Sequence, residues 1–477
     1  MSETRNIFCG NNYVEVTFPK GTRILRAPVH EAPLQDPREA VIQAISNPLG
    51  MKPLAEQVGS GSKVLIAFDD LAVPVPPMAP PDNREVTVGA IVEELYRAGV
   101  QKRDITLVCA NGIHRMWKRS ELATILGERL MREFSHAQII GHDGEDPENL
   151  VHLGLTENGY DVEINKRVIE ADLTIYVNLN WVPFNGGWKS TIIGLGTYRT
   201  IRHIHNHEMY LAEAPASCME PEKNMLHARI REMGRHLKAH LRSMDRAIFQ
   251  VETTIDSAIP PHMSAVTAGD VDMVHEKTLE YLTAHKVLDV EGQTDVLVFG
   301  LPDFMPYSMG TIINPILIAR MGLGYLFSNY KDNPLVREDG ILILSNPLYD
   351  QCDPIHHPSY VALWNEGFTR TRSAAELYDL FADEYAHRPE FIHKYRFGYG
   401  FHGAHPVQAY TTTEYPKRYL KKVYAAGCTD TSVAEKLDWE PAKNVEEAIK
   451  SAKKDLGKDV TVTFVELPPF FTPRVHL

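Results

Sequence analysis

Short apolar runs alternate along this chain with longer stretches in which apolar positions recur every three or four residues. "KVLIAFDD" (63–70) is apolar until it ends in two acids, the pattern of a strand buried on both faces. "REVTVGAIVEELYRAGV" (84–100) has helical spacing, "DITLVCANG" (104–112) is strand-like, and "KRSELATILGERLMREF" (118–134) predicts a helix with Ser120 as its cap. "AQIIGH" (137–142) and "ADLTIYVNLN" (171–180) predict two more strands. Before them lies a β-rich start and a helix around "DPREAVIQAISNPLG". After them, residues 220–245 look helical, "DSAIPPHMSAVTAGD" (256–270) is a proline-punctuated break, and "HEKTLEYLTAHKVL" (275–288) is a helix. At 294 the alternation restarts with "TDVLVFGLP" as strand, "INPILIARMGLGYLF" as helix, "DGILILSNP" as strand and "SAAELYDLFAD" as helix. "PKRYLKKVYAAG" and "VEEAIKSAKKDLG" read as further helices and "DVTVTFVELP" as a last strand.

Strand–helix–strand alternation predicts an α/β fold of two α/β domains with largely parallel sheets, residues 1–290 and 291–477. In open parallel sheets ligands sit at the carboxyl ends of strands. "FDDLAVPVPPM", "ANGIHRMW" and "NLNWVPFNGGWK" each follow a strand directly, so the active site is expected from these stretches, in the cleft facing the other domain.

Composition narrows the partners. A net charge of −13 disfavours nucleic acid and anionic membrane, but says nothing about a small charged substrate. Cys9, Cys109, Cys218, Cys352 and Cys428 are scattered, with no zinc-ribbon spacing, which suits a reducing compartment. The N-terminal "MSETRNIFCG" has no signal-peptide core, and no apolar run reaches the ~18 residues of a membrane span. The expectation is a soluble cytoplasmic protein, with its oligomeric state open, a homo-oligomer included.

Four groups of residues can carry chemistry. His114, in "ANGIHR" on a glycine turn past a strand, can take a proton near neutral pH, although a lone loop histidine is more often simply packed. "GGWKS" offers the backbone of Gly186 and Gly187, the hydroxyl of Ser190 and the amine of Lys189 to an anion, without the spacing of a Walker A loop. "HIHNHE" holds His203, His205 and His207. On a strand the three would share a face, but "TIRHIHNHEMYLAEA" reads better as a helix, which separates His205 from the other two. Asp69 and Asp70 end a buried strand, where they can orient a histidine or a substrate hydroxyl or be merely solvated; "PVPPMAPP" beyond them fixes an extended connector.

Together "FDDLAVPVP", "ANGIHR" and "GGWKSTIIGLGTYRTI…H" resemble the nickel-pincer nucleotide-dependent lactate racemase family, in that order and at about that family's spacing. The likeness covers roughly residues 10–320. It implies a cofactor-tethering N-terminal domain and a nickel-pincer nucleotide (pyridinium-3,5-bisthiocarboxylic acid mononucleotide nickel) made by separate maturation proteins. By the same resemblance Lys189 is the covalent tether and His114 an acid/base. The nickel-ligating histidine is His205 counted without gaps, or His207 if the family's asparagine–histidine ending is followed. A planar set of two sulfurs, one carbon and one imidazole suits Ni(II).

The chain also departs from that pattern. The family's second acid/base histidine, ten residues before the tether, is Leu179 here, beside Asn180. The arginine of its Asp-x-x-Arg-Pro motif is Val73, and the lysine expected after the Tyr307 tyrosine is Thr311. Those two cations hold the substrate carboxylate in the family. Their loss, among Trp181, Phe184, Trp188, Phe304, Met305 and Tyr307, predicts a substrate larger than lactate that lacks an adjacent carboxylate, such as a sugar, polyol or bulky hydroxy compound. Arg115, Arg199 and Arg202 are the residues that can take over the lost contacts. Asp70, Asn180 and Tyr307 are candidates to assist on the face opposite His114. The reading is an isomerase, a racemase or epimerase working by hydride transfer. The rivals are a one-face redox enzyme with the same cofactor, a zinc hydrolase built on His114 and the 203–207 cluster, and a non-catalytic binding relative.

Overall fold

A computed structural model of the chain describes residues 3–28, 31–74, 76–211 and 217–477. Val75 of the expected extended connector and residues 212–214 of the expected histidine helix lie outside these. The chain folds as two compact units. The first is Val29–Ile204 with Met225–Lys286; the second is Met1–Pro28, His205–Asn224 and Val287–Leu477. Both are discontinuous in sequence, whereas the order of elements alone suggests two continuous halves.

The first unit is built on a six-stranded sheet in the order Met263–Gly269, Ala247–Ile255, Leu173–Asn180, Val64–Asp69, Ile105–Ala110 and Ile139–Gly141. All neighbours are parallel except the edge strand Met263–Gly269. Apolar side chains fill both faces of Val64–Asp69 and Ile105–Ala110, which is why these strands read as uninterrupted apolar runs. From Val64–Asp69 the chain proceeds outward on one side to Ile105–Ala110 and Ile139–Gly141. It then returns to lay Leu173–Asn180 on the other side. The topological switch point, where open α/β sheets bind ligands, therefore lies between the carboxyl ends of Val64–Asp69 and Leu173–Asn180.

The second unit has its own six-stranded, all-parallel sheet: Glu440–Ala442, Lys422–Ala426, Val336–Ser345, Thr294–Gly300, Val462–Val465 and Arg23–Leu25. Arg23–Leu25 closes one edge of that sheet, which is how the first 28 residues come to belong to this unit. Its switch point lies between Thr294–Gly300 and Val462–Val465.

Several expected elements differ. "PKRYLKKVYAAG" is not one helix: the helix Glu414–Tyr419 stops and Lys422–Ala426 is an interior strand. The expected break at 256–270 contains the edge strand Met263–Gly269. The helix at 118–134 begins at Arg119, with Glu121 accepting from the backbone of Lys118, so Ser120 lies inside it and does not cap it. "INPILIARMGLGYLF" is a short helix, Pro315–Ala319, continued by a π-helical stretch, Arg320–Phe327. The histidine stretch is not a continuous helix either: Tyr198–Ile201 and Glu208–Leu211 are short turns of helix, and residues 202–207 between them are turns and bends. Among the described residues no helix is long and apolar enough to cross a membrane.

Candidate active site

The site begins where Val64–Asp69 ends. Asp70 is buried, and its Oδ2 lies 2.8 Å from Nδ1 of His114. The same oxygen accepts from Trp117 Nε1 at 3.1 Å, and Oδ1 accepts from the backbone N–H of Ala72 at 3.0 Å. Burial alone would raise the Asp70 pKa, but the adjacent imidazole and these hydrogen bonds outweigh it and hold the carboxyl below its usual range. With an ionised Asp70 on Nδ1, that nitrogen carries the proton and Nε2 is the basic one. His114 is held by its own turn as well. Asn111 accepts from the His114 N–H, and Gly112, at φ +52°, passes so close to the Lys189 helix that a Cβ there would meet the Ile193 carbonyl at 2.6 Å.

Asp69 faces the neighbouring strand. Its Oδ2 accepts from Asn178 Nδ2 at 2.6 Å and from the Leu179 N–H at 2.9 Å, and its Oδ1 from the Tyr176 hydroxyl at 3.0 Å. Burial, only partly offset by these donors and by the charges of Arg84 and Lys189, pushes its pKa up to about 6. The two adjacent acids thus differ in kind: one charged group holding a histidine, one carboxyl stitching two strands across the switch point. Beneath them the buried guanidinium of Arg84 pairs with Asp82 and donates to the carbonyls of Asp69, Asp70 and Val73.

Lys189 sits in the first turn of the helix Trp188–Gly194. Its ammonium lies 4.2 Å from the centre of the Phe184 ring. The glycine pair before it is demanded by close approach: Gly186 and Gly187 have φ of +92° and +58°, and Cβ atoms there would lie within 3 Å of Glu252, His275 and Asn180. Gly187 N–H donates to Glu252 Oε1 at 2.6 Å, so that donor is committed to a buried carboxylate and is not offered to an anion. Trp188 anchors the helix, with its ring against Gly234 and its N–H on Asp272. Ser190 Oγ and Thr191 Oγ1 are buried without a hydrogen-bond partner among the described residues.

The residues that follow the central strand complete the picture. Leu179, at the expected second-histidine position, is fully buried. Asn178 and Asn180, which share the opposite face of that strand, are also buried. Asn180 Nδ2 donates weakly to the Thr253 carbonyl at 3.4 Å.

The three histidines of "HIHNHE" part company. His203 Nε2 lies 3.0 Å from Asp161, next to Tyr160. His207 Nδ1 lies 3.5 Å from Asp379, its ring edge-on to Tyr378. His205 Nδ1 is buried. Among the described residues, no three His, Cys, Asp or Glu side chains converge as a metal-binding set. A structural or hydrolytic zinc needs such a set, and the zinc-hydrolase reading finds no ready-made one among the described residues. A metal that arrives with most of its own donors and asks the protein for one imidazole fits these residues better.

The arginines proposed as substitutes for the missing cations are engaged elsewhere. Arg115 is buried on Glu121 and stacks over Trp117; Arg199 and Arg202 both reach Asp161. Within the second unit, Thr311 donates to Asp353, whose pKa is about 2 despite burial because Thr311 and two backbone N–H groups hold the charged form. The locus of the expected lysine thus carries a fixed anion. Tyr307 OH lies 2.6 Å from Tyr325 OH, in a ring cluster with His405 and Phe401. Of the aromatic tract, Trp188 and Met305 are core residues, and Phe304 packs on Phe8.

Fold and site together define a doubly wound α/β protein with a carboxylate–histidine pair and a lysine-bearing helix around one switch point. Residues 9–217 match the lactate racemase N-terminal domain family. Over 171 residues it is 26% identical to the lactate racemase of Thermoanaerobacterium thermosaccharolyticum, and over 175 residues 28% identical to that of Lactiplantibacillus plantarum. These matches span 35% and 36% of this chain, and 38% and 39% of the two relatives, well under two thirds of their length. The apoprotein structure of the Thermoanaerobacterium thermosaccharolyticum lactate racemase superposes over the full length of both chains with a TM-score of 0.67 at 18% identity. A Thermotoga maritima protein of known structure covers 94% of this chain at a TM-score of 0.58 and 13% identity. At such identities the structural likeness establishes the fold alone.

Three features of the site escape the sequence reading. The role of Asp69 between strands, the Trp117 donor to Asp70 and the Glu252–His275 support under the glycine pair all depend on residues far apart in the chain. The doubled acid at the end of a buried strand is the one local signal that pointed toward any of them.

Proposed function

We propose that this protein is an isomerase, a racemase or epimerase that inverts a hydroxyl-bearing carbon, working with a nickel-pincer nucleotide tethered through Lys189. The observation that carries the reading is the buried Asp70–His114 pair, packed by way of Gly112 against the Lys189 helix within the residues that match the lactate racemase N-terminal domain family. Lys189 would hold the cofactor through its amine, with Ser190 and Thr191 beside it offering hydroxyls. His205 would give the metal its imidazole, with His207 the alternative. Such a cofactor, when bound, supplies a ring carbon able to accept and return a hydride.

The chain's own part is proton handling and positioning. Asp70 fixes the His114 tautomer, so Nε2 takes the substrate hydroxyl proton and the resulting imidazolium is stabilised by the carboxylate behind it. While a bound cofactor held the hydride, His114 would hold the hydroxyl proton, and it would give that proton back to the oxygen when the hydride is returned to the carbon. Asp70 acts through His114 on one side only. Leu179 contributes no proton acceptor to the other.

The substrate is larger than lactate and lacks a carboxylate next to the reacting carbon. Val73, the Thr311–Asp353 contact and the commitment of Arg115, Arg199 and Arg202 to protein carboxylates support this. Cofactor-maturation proteins are its implied partners. A second reading keeps the cofactor and changes the outcome: with Leu179 in place of a base, the protein would run a one-face redox reaction. The nickel-loaded protein, given hydroxy compounds deuterated at the reacting carbon, separates the two. Scrambled stereochemistry with the label retained supports the isomerase; net oxidation without scrambling supports the redox enzyme.

A further inference from the structure

Three side chains from other elements converge on the two residues just before Lys189. Glu252, in the strand Ala247–Ile255, is buried and accepts the Gly187 N–H at 2.6 Å. His275, in the helix Val271–Lys286, places Nδ1 3.3 Å from the other oxygen of that carboxylate and lays its ring against Gly187. Asp272, a turn earlier in the same helix, accepts from Trp188 Nε1 at 2.7 Å and is itself held by Lys238. Burial alone would raise the Glu252 pKa, but the adjacent imidazole and the Gly187 N–H outweigh it and hold the carboxyl below its usual range.

A buried, charged carboxylate is a demanding way to satisfy one N–H, because it must itself be paired. A serine or aspartate at the cap position does the same locally. Here the cap position is Gly187 at φ +58°, so the orienting groups come from two other elements. They do what a local cap cannot. The helix Trp188–Gly194 has seven residues, too few to hold its own place. Glu252 fixes where the chain enters it, while Asp272 and Gly234 hold the Trp188 side chain and so set the rotation of the helix about its axis. Successive side chains on a helix diverge by about 100°, so the Trp188 anchor decides where Lys189 points. The Lys189 amine lies 4.2 Å from the centre of the Phe184 ring and close enough to Asp69 for its charge to favour the ionised carboxyl.

We propose that Glu252 and His275 are positioning residues for the tether: they hold the Gly186–Gly187 turn so that the Lys189 amine faces the end of the strand Val64–Asp69 and is set for covalent attachment. His275 acts through Glu252, and Glu252 through the Gly187 N–H. This rests on the reading of Lys189 as the tether.

The test has two readouts on the full chain. In protein produced together with the cofactor-maturation proteins, peptide mass spectrometry gives the fraction of Lys189 that carries added mass. In apoprotein, limited treatment with acetic anhydride gives the acetylation rate of Lys189 relative to the exposed Lys277. Glu252→Ala and His275→Ala are each expected to lower the modified fraction about fivefold or more and to shift the relative acetylation rate about threefold or more. Glu252→Gln keeps an oxygen for the Gly187 N–H and is expected to recover most of the loading. Leu126→Ala, which opens a cavity in the helix Arg119–Glu133, is the control for lost stability and is expected to load and acetylate as wild type does. Should Glu252→Ala not fold, His275→Ala carries the test, since that side chain is 18% exposed. Wild-type loading and acetylation in the folded variants, no recovery in Glu252→Gln, or an equal loss in Leu126→Ala would overturn the positioning role. An unmodified Lys189 in the wild-type chain would instead overturn the tether reading, while the acetylation rates still report on the turn.

Discussion

Asp70 and Asp69 are adjacent, both carboxylates, and the fold drives their pKa values in opposite directions. Asp70 meets an imidazole and an indole N–H; Asp69 is buried against two neutral donors and a backbone amide. Asp70→Asn should leave the fold intact yet lower turnover by about a hundredfold or more, because an amide no longer fixes the His114 tautomer or stabilises its charged form. Steady-state rates beside a thermal melt check this; a normal rate in the variant contradicts it. Asp69, with its pKa raised from 3.8 to about 6, binds a proton more readily when folded than when unfolded. Its contribution to stability is therefore greatest below pH 3.8 and declines as pH rises to about 6. Wild type should lose stability relative to Asp69→Asn across that window, by a fraction of the ~3 kcal/mol that a two-unit shift represents. Urea denaturation at several pH values measures it, and parallel pH profiles would rule it out.

The Lys189 helix shows what an element owes to its surroundings. It is seven residues long and has no side-chain cap. Glu252 from the next strand accepts the N–H of Gly187, and His275 fills the space a side chain would need. Gly187→Ala should cost about 1–3 kcal/mol, since it sets a Cβ 2.7 Å from the His275 ring at positive φ. An unchanged denaturation midpoint would show that the glycine is dispensable. This element also marks where sequence stops being legible. The strands Val64–Asp69, Ile105–Ala110 and Thr294–Gly300 were readable because burial on both faces demands apolar runs. The neighbouring strand Ala247–Ile255 was not, because Gln250, Glu252, Thr253 and Thr254 are buried polar residues that spoil the apolar pattern. Lys422–Ala426 hides for another reason: lysines and alanines favour helix, and only pairing with Val336–Ser345 makes it a strand. The histidine cluster read best as a helix with His205 apart from the other two, but the chain turns between 202 and 207, so His203 joins Asp161 and His207 meets Asp379. His205→Ala should accordingly remove far more bound nickel than His203→Ala; a larger loss in His207→Ala would move the ligand to that residue.

At the scale of the molecule, each unit has an open sheet with a switch point, and the residues with unusual chemistry gather at the first unit's. The three stretches expected to build the site do flank that switch point, since "FDD", "ANGIH" and "NLNWVPFNGGWK" follow adjacent strands. The substrate's identity was less legible, because it depends on which arginines are occupied by protein carboxylates, and that is not a property of local sequence. The central claim is that Lys189 carries a nickel cofactor. It is tested most directly by the intact mass and metal content of the full chain produced together with the cofactor-maturation proteins. The account predicts a mass above that of the bare sequence, nickel at unit stoichiometry, and the added mass mapped to the peptide containing Lys189, with both lost in Lys189→Ala while the melt stays near normal. A folded chain of unmodified mass without nickel under those conditions, or modification and nickel that persist in Lys189→Ala, would contradict it.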